Sequence, residues 1–141
     1  MLFRSPWSAE RNGGFTDGTP WLPLNADSDT LNVSSQADDP RSMLSLYRAL
    51  IRLRRESEAL SIGDWRLLSA TEHVLAYERG LGGERVTIAL NMTGDTQTVR
   101  VAARTCEILL STCLDETGAV HGEEIRLRAD EGLVLRDAAS A

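Results

Sequence analysis

Between Met43 and Leu53 the apolar side chains recur at spacings of three and four. Met43, Leu44, Tyr47, Leu50 and Ile51 share one side with Leu46 and Leu53 near them, and Arg41, Arg48, Arg52 and Arg55 take the other. This period predicts a single long helix over about 40–57, one face buried and one in water. Asp39 suits the N-cap, because its carboxylate can accept a free N–H of the first turn, and Pro40 suits the first helical position, where no N–H is needed. The arginine stripe reads as a solvated face rather than a nucleic-acid or membrane surface, since Glu56 lies four residues beyond Arg52 and the chain is acidic.

Beyond the helix the period changes. Ser61, Gly63 and Asp64 predict a turn, and seven short runs follow at 65–69, 73–79, 85–92, 96–102, 106–111, 124–128 and 132–136, separated by Gly80, Gly82, Gly83, Gly94, Asp95, Asp115, Gly118 and Gly122. Strict alternation at Val99 and Val101, Ile125 and Leu127, and Leu133 and Leu135 predicts strands with one apolar side. The fold class is therefore α+β, mostly β. An aromatic N-terminal loop and one long helix precede an antiparallel β-sandwich with one wet face per sheet. The Ala/Ser-rich 138–141 is expected to be a frayed tail.

Composition narrows the function. At 141 residues there is room for one modest core, and a net charge of -6 argues against binding a phosphate backbone. All 15 basic residues are arginine, a bias without functional weight. Arg4 follows Met1, Leu2 and Phe3 directly, and no run of 18 apolar residues occurs, so neither a signal peptide nor a membrane span is expected and the cytoplasm is the expected location. Cys106 and Cys113 are expected to be reduced, half-buried thiols. The loop before the helix carries Phe15, Pro20, Trp21 and Pro23 among Gly13, Gly14 and Gly18; its rings either cover a hydrophobic core, the favoured reading, or line a ligand site.

Candidate chemistry is sparse. Asp38 and Asp39, Asp115 and Glu116, Glu123 and Glu124, and Asp130 and Glu131 are adjacent pairs that point apart or lie in turns, whereas retaining glycoside hydrolysis needs two carboxyls facing each other at about 5 Å. Cys106, Cys113 and His121 lack a fourth zinc ligand, and Asn25, Asp27 and Asp29 imitate a calcium loop with Thr30 in place of its glycine and Gln36 in place of its glutamate. His73 reads as an ordinary strand residue, and Gly80, Gly82 and Gly83 as a hairpin turn rather than a phosphate cradle. Asn32 and Asn91 stand in glycosylation sequons by pattern alone. No catalytic, substrate-binding or metal-ligating residue and no cofactor is assigned.

The run RSPWSAERNGGFTDGTPWLPLN, followed by LNVSSQADDPRSMLSLYRALIRLRR, resembles the part of glycoside hydrolase family 13 α-glucosidases, oligo-1,6-glucosidases among them, that reads RTPMQW, NAGFT, PWLPVN, INV, DPS and LYRLILR. Arg4, Ser5, Pro6 and Trp7 match only the ends of RTPMQW, without the Met-Gln between them. The resemblance continues through Gly63, Asp64 and Trp65, through Leu90, Asn91, Met92 and Thr93, through 109–115, which is similar to LLSTYLD, and through 127–134, which is similar to a closing LxPxEAxV strand with Ala129 where proline is usual.

It implies that 1–60 corresponds to the last unit of a (β/α)8 barrel, 61–137 to the antiparallel domain C, and 138–141 to a tail. The family's catalytic carboxylates lie on earlier barrel strands and have no counterpart here. The implied role is a C-terminal accessory part of an α-glucosidase-like enzyme, inactive alone, meeting α-glucan or oligosaccharide only through a barrel, with no nucleic-acid or membrane partner. The helix's apolar face, with Trp7 and Trp21, would then lack its barrel cover, leaving a patch through which the chain self-associates. The alternatives are a carbohydrate-binding module using Trp7, Trp21 and Trp65, and an interaction module that docks on a barrel supplied by another chain.

Overall fold

The computed structural model describes residues 6–101 and 105–138. Expectations that fall on Met1, Leu2, Phe3, Arg4, Ser5 and Ala102, and on 139–141, lie outside the described residues. The chain forms two compact units, Met1–Arg48 and Ala49–Ala141. Three α-helices occur among the described residues, α1 (Val33–Ala37), α2 (Met43–Glu56) and α3 (Glu58–Ile62), and none is long and apolar enough to cross a membrane.

In the first unit hydrogen bonds organise the chain more than apolar packing does. The buried ones among its described residues are Pro6, Gly13, Asn32 and Ser42. The peptide N–H groups of Val33 and Ser34 bond to the carbonyls of Pro6 and Trp7 at 2.9 and 3.0 Å, and Trp7 N–H bonds to Gly13 O at 2.8 Å. Gly13 has a φ of +65°, and a Cβ there would stand 2.8 Å from that of Pro6, so only glycine fits without strain. The favoured reading of the aromatic loop is corrected: Trp7 is 58%, Phe15 39% and Trp21 83% exposed. These rings cover no core in the unit, because it buries no large apolar side chain among its described residues.

Helix α2 begins later than expected. Asp39 Oδ1 accepts the Arg41 N–H at 2.8 Å, but the first α-helical turn is capped by Ser42, whose Oγ accepts the Ser45 N–H at 3.1 Å. Asp39 and Pro40 thus shape the turn ahead of the helix, which runs over Met43–Glu56. No residue of α2 is fully buried, and Met43, Tyr47 and Ile51, one turn apart along one side, remain 61, 60 and 50% exposed. The predicted turn at 61–64 is also corrected. Ser57 Oγ accepts Leu60 N–H at 3.2 Å and starts α3, Gly63 leaves it in an extended conformation, and Asp64 opens the first strand.

Among its described residues the second unit holds eight strands, β1 (Asp64–Ala70), β2 (Val74–Leu81), β3 (Glu84–Asn91), β4 (Gln97–Arg100), β5 (Thr105–Ser111), β6 (Gly118–His121), β7 (Glu124–Leu127) and β8 (Gly132–Asp137). The expected α+β, mostly β fold is present, with every strand pair antiparallel. A six-stranded sheet has the order β1-β2-β3-β8-β5-β6, and β4 pairs with β7 separately. The sequence reading missed β6, which has only four residues beginning at Gly118. His73 precedes β2 rather than lying in it. Gly82 and Gly83, with φ of +59° and +97°, make the two-residue β2–β3 hairpin turn anticipated from the glycines.

One wet face per sheet does not hold for the large sheet. On one face Val74, Ala76, Ala89, Leu133 and Leu135 pack with Val99, Val101, Ile125 and Leu127 of the β4–β7 side. On the other, Val86, Ile88 and Val134 pack with Ala59 of α3 and the half-buried Leu53, Leu60 and Tyr77. The cause is the near-continuous apolar character of the central strands β3 and β8, which need cover on both sides.

Where α3 turns into β1 the packing is tightest. A Cβ on Gly63 would lie 2.4 Å from Ala59 O and 2.7 Å from Gly80 O, both backbone atoms that cannot move aside. Gly63→Ala is expected to destabilise the chain by about 2–3 kcal/mol, read as a lower urea midpoint; an unchanged midpoint would show that this junction can relax.

Candidate functional site

The acidic residues that look isolated in sequence meet in space. Arg128 donates two hydrogen bonds to Asp115, Nη1 to Oδ2 at 2.7 Å and Nη2 to Oδ1 at 2.8 Å, and Nη2 reaches Glu131 Oε1 at 2.5 Å. Glu116 stands 3.9 Å from Arg128 Nη1. Glu131 is only 2% exposed and also accepts from the Ser111 hydroxyl and the Arg128 peptide N–H, each at 2.8 Å. The sequence reading placed these pairs in turns or pointing apart and did not foresee that Asp115 and Glu131 meet on one side chain. Turns bring members of both pairs onto one guanidinium, with Leu114 and Asp130 at positive φ.

Burial pushes the Glu131 carboxyl up, but the hydrogen bonds from Arg128 and Ser111 outweigh it and hold the group below the usual carboxylate range. The acids raise Arg128 further above its already high value. Such a carboxylate is a fixed acceptor, unsuited to giving up a proton as an acid catalyst.

A second cluster lies on the face of the large sheet that packs toward β4–β7. Glu78, 7% exposed, accepts from Arg66 Nη2 at 3.0 Å and stands 3.9 Å from Arg85 Nη1. Burial and then the nearness of Glu78 push the Asp137 carboxyl up, against the opposing pull of Arg85 and Arg66. Cys106 Sγ lies 4.0 Å from Asp137 Oδ1, and burial followed by that carboxylate pushes the thiol up. Glu78 and Asp137 are two acids near enough to influence each other that the sequence reading overlooked. Cross-strand register is the signal that would have found them, since Glu78 faces Thr87 and Thr87 faces Leu135, two residues before Asp137. Glu78 opens on a polar hollow with Asp64, Arg66 and Arg85, which Asp137 does not line.

The remaining candidates are structural. The thiols are not half-buried as expected: Cys106 is fully buried and Cys113 exposed, and neither is in a disulfide. His121 Nδ1 is 3.3 Å from Thr105 Oγ1, and no group of three or more metal-binding side chains occurs among the described residues. Asn25, Asp27 and Asp29 lie in successive turns, with Asp27 O accepting from Thr30 and Leu31 N–H at 3.1 and 2.7 Å.

Both sequon asparagines are buried and occupied. Asn32 caps α1, accepting Ser35 N–H at 2.9 Å. Asn91 donates to Asp95 O and Arg128 O, each at 2.7 Å, and accepts from Thr93. Trp7 meets Phe15 edge-on at 62°, and Trp65 is tilted 33° against Tyr77, so neither pair makes a flat stacking platform for a sugar.

The catalytic-domain model of the alpha-amylase family matches residues 3–63. An oligo-1,6-glucosidase of Parageobacillus thermoglucosidasius is 33% identical over 135 residues, covering 92% of this chain and 24% of that protein. The amino acid transporter heavy chain SLC3A1 of Rattus norvegicus is 34% identical over 147 aligned residues, covering 96% of this chain and 22% of that one. Among solved structures, the trehalulose synthase MutB from Pseudomonas mesoacidophila MX-45 superposes with a TM-score of 0.85 at 28% identity, over 93% of this chain and 24% of that chain.

Likeness to α-amylase-family proteins thus runs through the helices and on into the antiparallel β-domain. The chain is similar to a part of α-amylase-family (glycoside hydrolase family 13) proteins, oligo-1,6-glucosidases among them. It spans about a quarter of the length of the relatives it matches.

Glu131→Gln is expected to lower stability at neutral pH by about 2–3 kcal/mol, because it removes the charge from a buried, hydrogen-bonded acceptor. The pH dependence gives a second readout. A carboxyl held below its unfolded value of about 4.3 contributes stability above that pH and loses it as pH falls through the folded pKa. Denaturant midpoints of the wild type should therefore fall more steeply between about pH 5 and 3 than those of the variant; parallel curves would mean that Glu131 is not the group responsible.

Proposed function

We propose that the chain is the C-terminal accessory part of an α-glucosidase-like enzyme, with residues 1–60 the last unit of a (β/α)8 barrel and 61–137 its domain C. The parent would hydrolyse α-glucosidic bonds in oligosaccharides, and the present residues would not do so alone. The observation that carries this reading is the first unit's lack of an apolar core among its described residues, while Trp7, Trp21, Met43 and Tyr47 are presented to solvent. Side chains of this size are normally buried against a partner surface, and a barrel is the surface that the oligo-1,6-glucosidase likeness supplies. Two cysteines that form no disulfide fit a reducing, cytoplasmic setting for such an enzyme.

The purified chain is expected to leave p-nitrophenyl α-glucoside intact, and a longer protein that adds the barrel to hydrolyse it. Turnover by the 141-residue chain, with contaminants removed, would overturn the proposal.

Self-association follows from the same exposed stripe along α2. The chain should sediment as concentration-dependent oligomers, and a Tyr47→Glu/Ile51→Glu variant as a monomer. A monomeric wild type at high concentration would count against the stripe as a contact surface.

A second reading has its own support in the likeness to a transporter heavy chain, since likeness to this family does not by itself carry glucosidase activity. In that reading the chain is an interaction module. A longer version that folds yet hydrolyses no α-glucoside would favour it.

A further inference from the structure

The second unit contains a cavity of about 290 Å³ that the proposed function does not use. Its floor runs across four adjacent strands, β2, β3, β8 and β5, about 14 Å from first to last at the usual strand spacing. Leu50 and Leu53 of α2 and Leu60 of α3 line it with Tyr77, Leu90 and Val134 of the sheet. A hollow of this size and apolar lining is at the lower end of small-molecule sites.

Two arginines also line it. Arg54 and Arg79 form no ion pair with an acid among the described residues, although the chain carries a net charge of -6. The Nε of Arg79 is buried and has no hydrogen-bond partner. Arg128 Nε is likewise unpartnered, but the rest of that guanidinium is held by Asp115 and Glu131, whereas no acid among the described residues holds Arg79. A buried donor beside an apolar hollow is costly unless an acceptor fills the space.

We propose that this cavity binds a small anionic amphiphile, with an alkyl or aryl body among the leucines and Tyr77 and a carboxylate or similar acceptor on Arg79 and Arg54. The apolar lining selects the body. The unpaired guanidiniums select the charge, and a planar oxyanion matches the fork of an arginine better than a neutral hydroxyl does.

Calorimetric titration of the full chain with sodium octanoate, 1-octanol and sodium acetate tests it. Octanoate is expected to bind about tenfold more tightly than octanol, the difference made by one charge-assisted hydrogen bond, and acetate not measurably. Arg79→Met should cut octanoate affinity by about the same factor and leave octanol unchanged. Arg54→Met should cause a smaller loss, and it decides the matter if the first variant does not fold. Trp65, whose ring centroid is 6.1 Å from that of Tyr77, gives an independent readout through an emission change with octanoate that Trp65→Phe removes.

Equal affinity for octanol and octanoate would overturn the proposal, as would octanoate binding that neither arginine variant weakens. So would the absence of binding by any probe, the result expected if a side chain of a longer protein were the natural occupant.

Discussion

The pairing of β3 with β8 at the centre of the large sheet is the constraint on which the second unit depends. Ile88 faces Val134 and Ala89 faces Leu133 across that pair, so adjacent residues put apolar groups on opposite faces. Neither face can be left to water. The β4–β7 pair covers one with Val99, Ile125 and Leu127, and α3 with the end of α2 covers the other through Ala59, Leu60 and Leu53. Cover on the helical side is incomplete, because α3 has only five residues and Ala59, its fully buried side chain, is small. The cavity under Leu50, Leu53 and Leu60 is the geometric remainder of a broad sheet face met by a short helix.

Polar interactions at one end of the same sheet explain why separate motifs read as family signatures. Asn91 and Thr93 close the chain after β3, Ser111 and Asp115 the turn after β5, and Arg128 and Glu131 the turn before β8. All converge on Arg128 and Glu131. Asn91 binds the Arg128 carbonyl, Asp115 its guanidinium, and Glu131 its peptide N–H. A buried carboxylate is tolerable only when its acceptor positions are filled, so these residues form one interdependent set. The strings at 90–93 and 127–134 that carry the resemblance are thereby accounted for by folding chemistry, with no catalytic role required.

Period and turn chemistry made much of the β-domain legible. Gly82 and Gly83 gave the hairpin, and the alternation at Ile125 and Leu127 gave β7 with its inward face. What stayed hidden depended on partners distant in the chain. Four-residue β6 has too short a pattern to stand out, and Ser42 displaced Asp39 as the α2 cap because the turn at 39–42 uses Asp39 for itself. The convergence of Asp115 and Glu131 on Arg128 and the approach of Glu78 to Asp137 needed the strand register. Local spacing does not carry that information. The family resemblance was more legible than any site, because it rested on several rare residues in order.

The aromatic loop of the first unit separates backbone order from side-chain burial. Asn12 Nδ2 donates to Thr16 O and Gly18 O, both at 2.7 Å, and Gly13 is held against Pro6, so hydrogen bonds and close backbone contact shape the turn. The rings contribute little to that shape, since Trp7, Phe15 and Trp21 all face outward. A loop fixed by its backbone presents large apolar side chains at defined positions before anything covers them, which lowers the ordering entropy lost when a surface does. The first unit therefore has the physical character of one half of an interface. Its backbone is ordered by polar contacts, and its large apolar side chains face solvent.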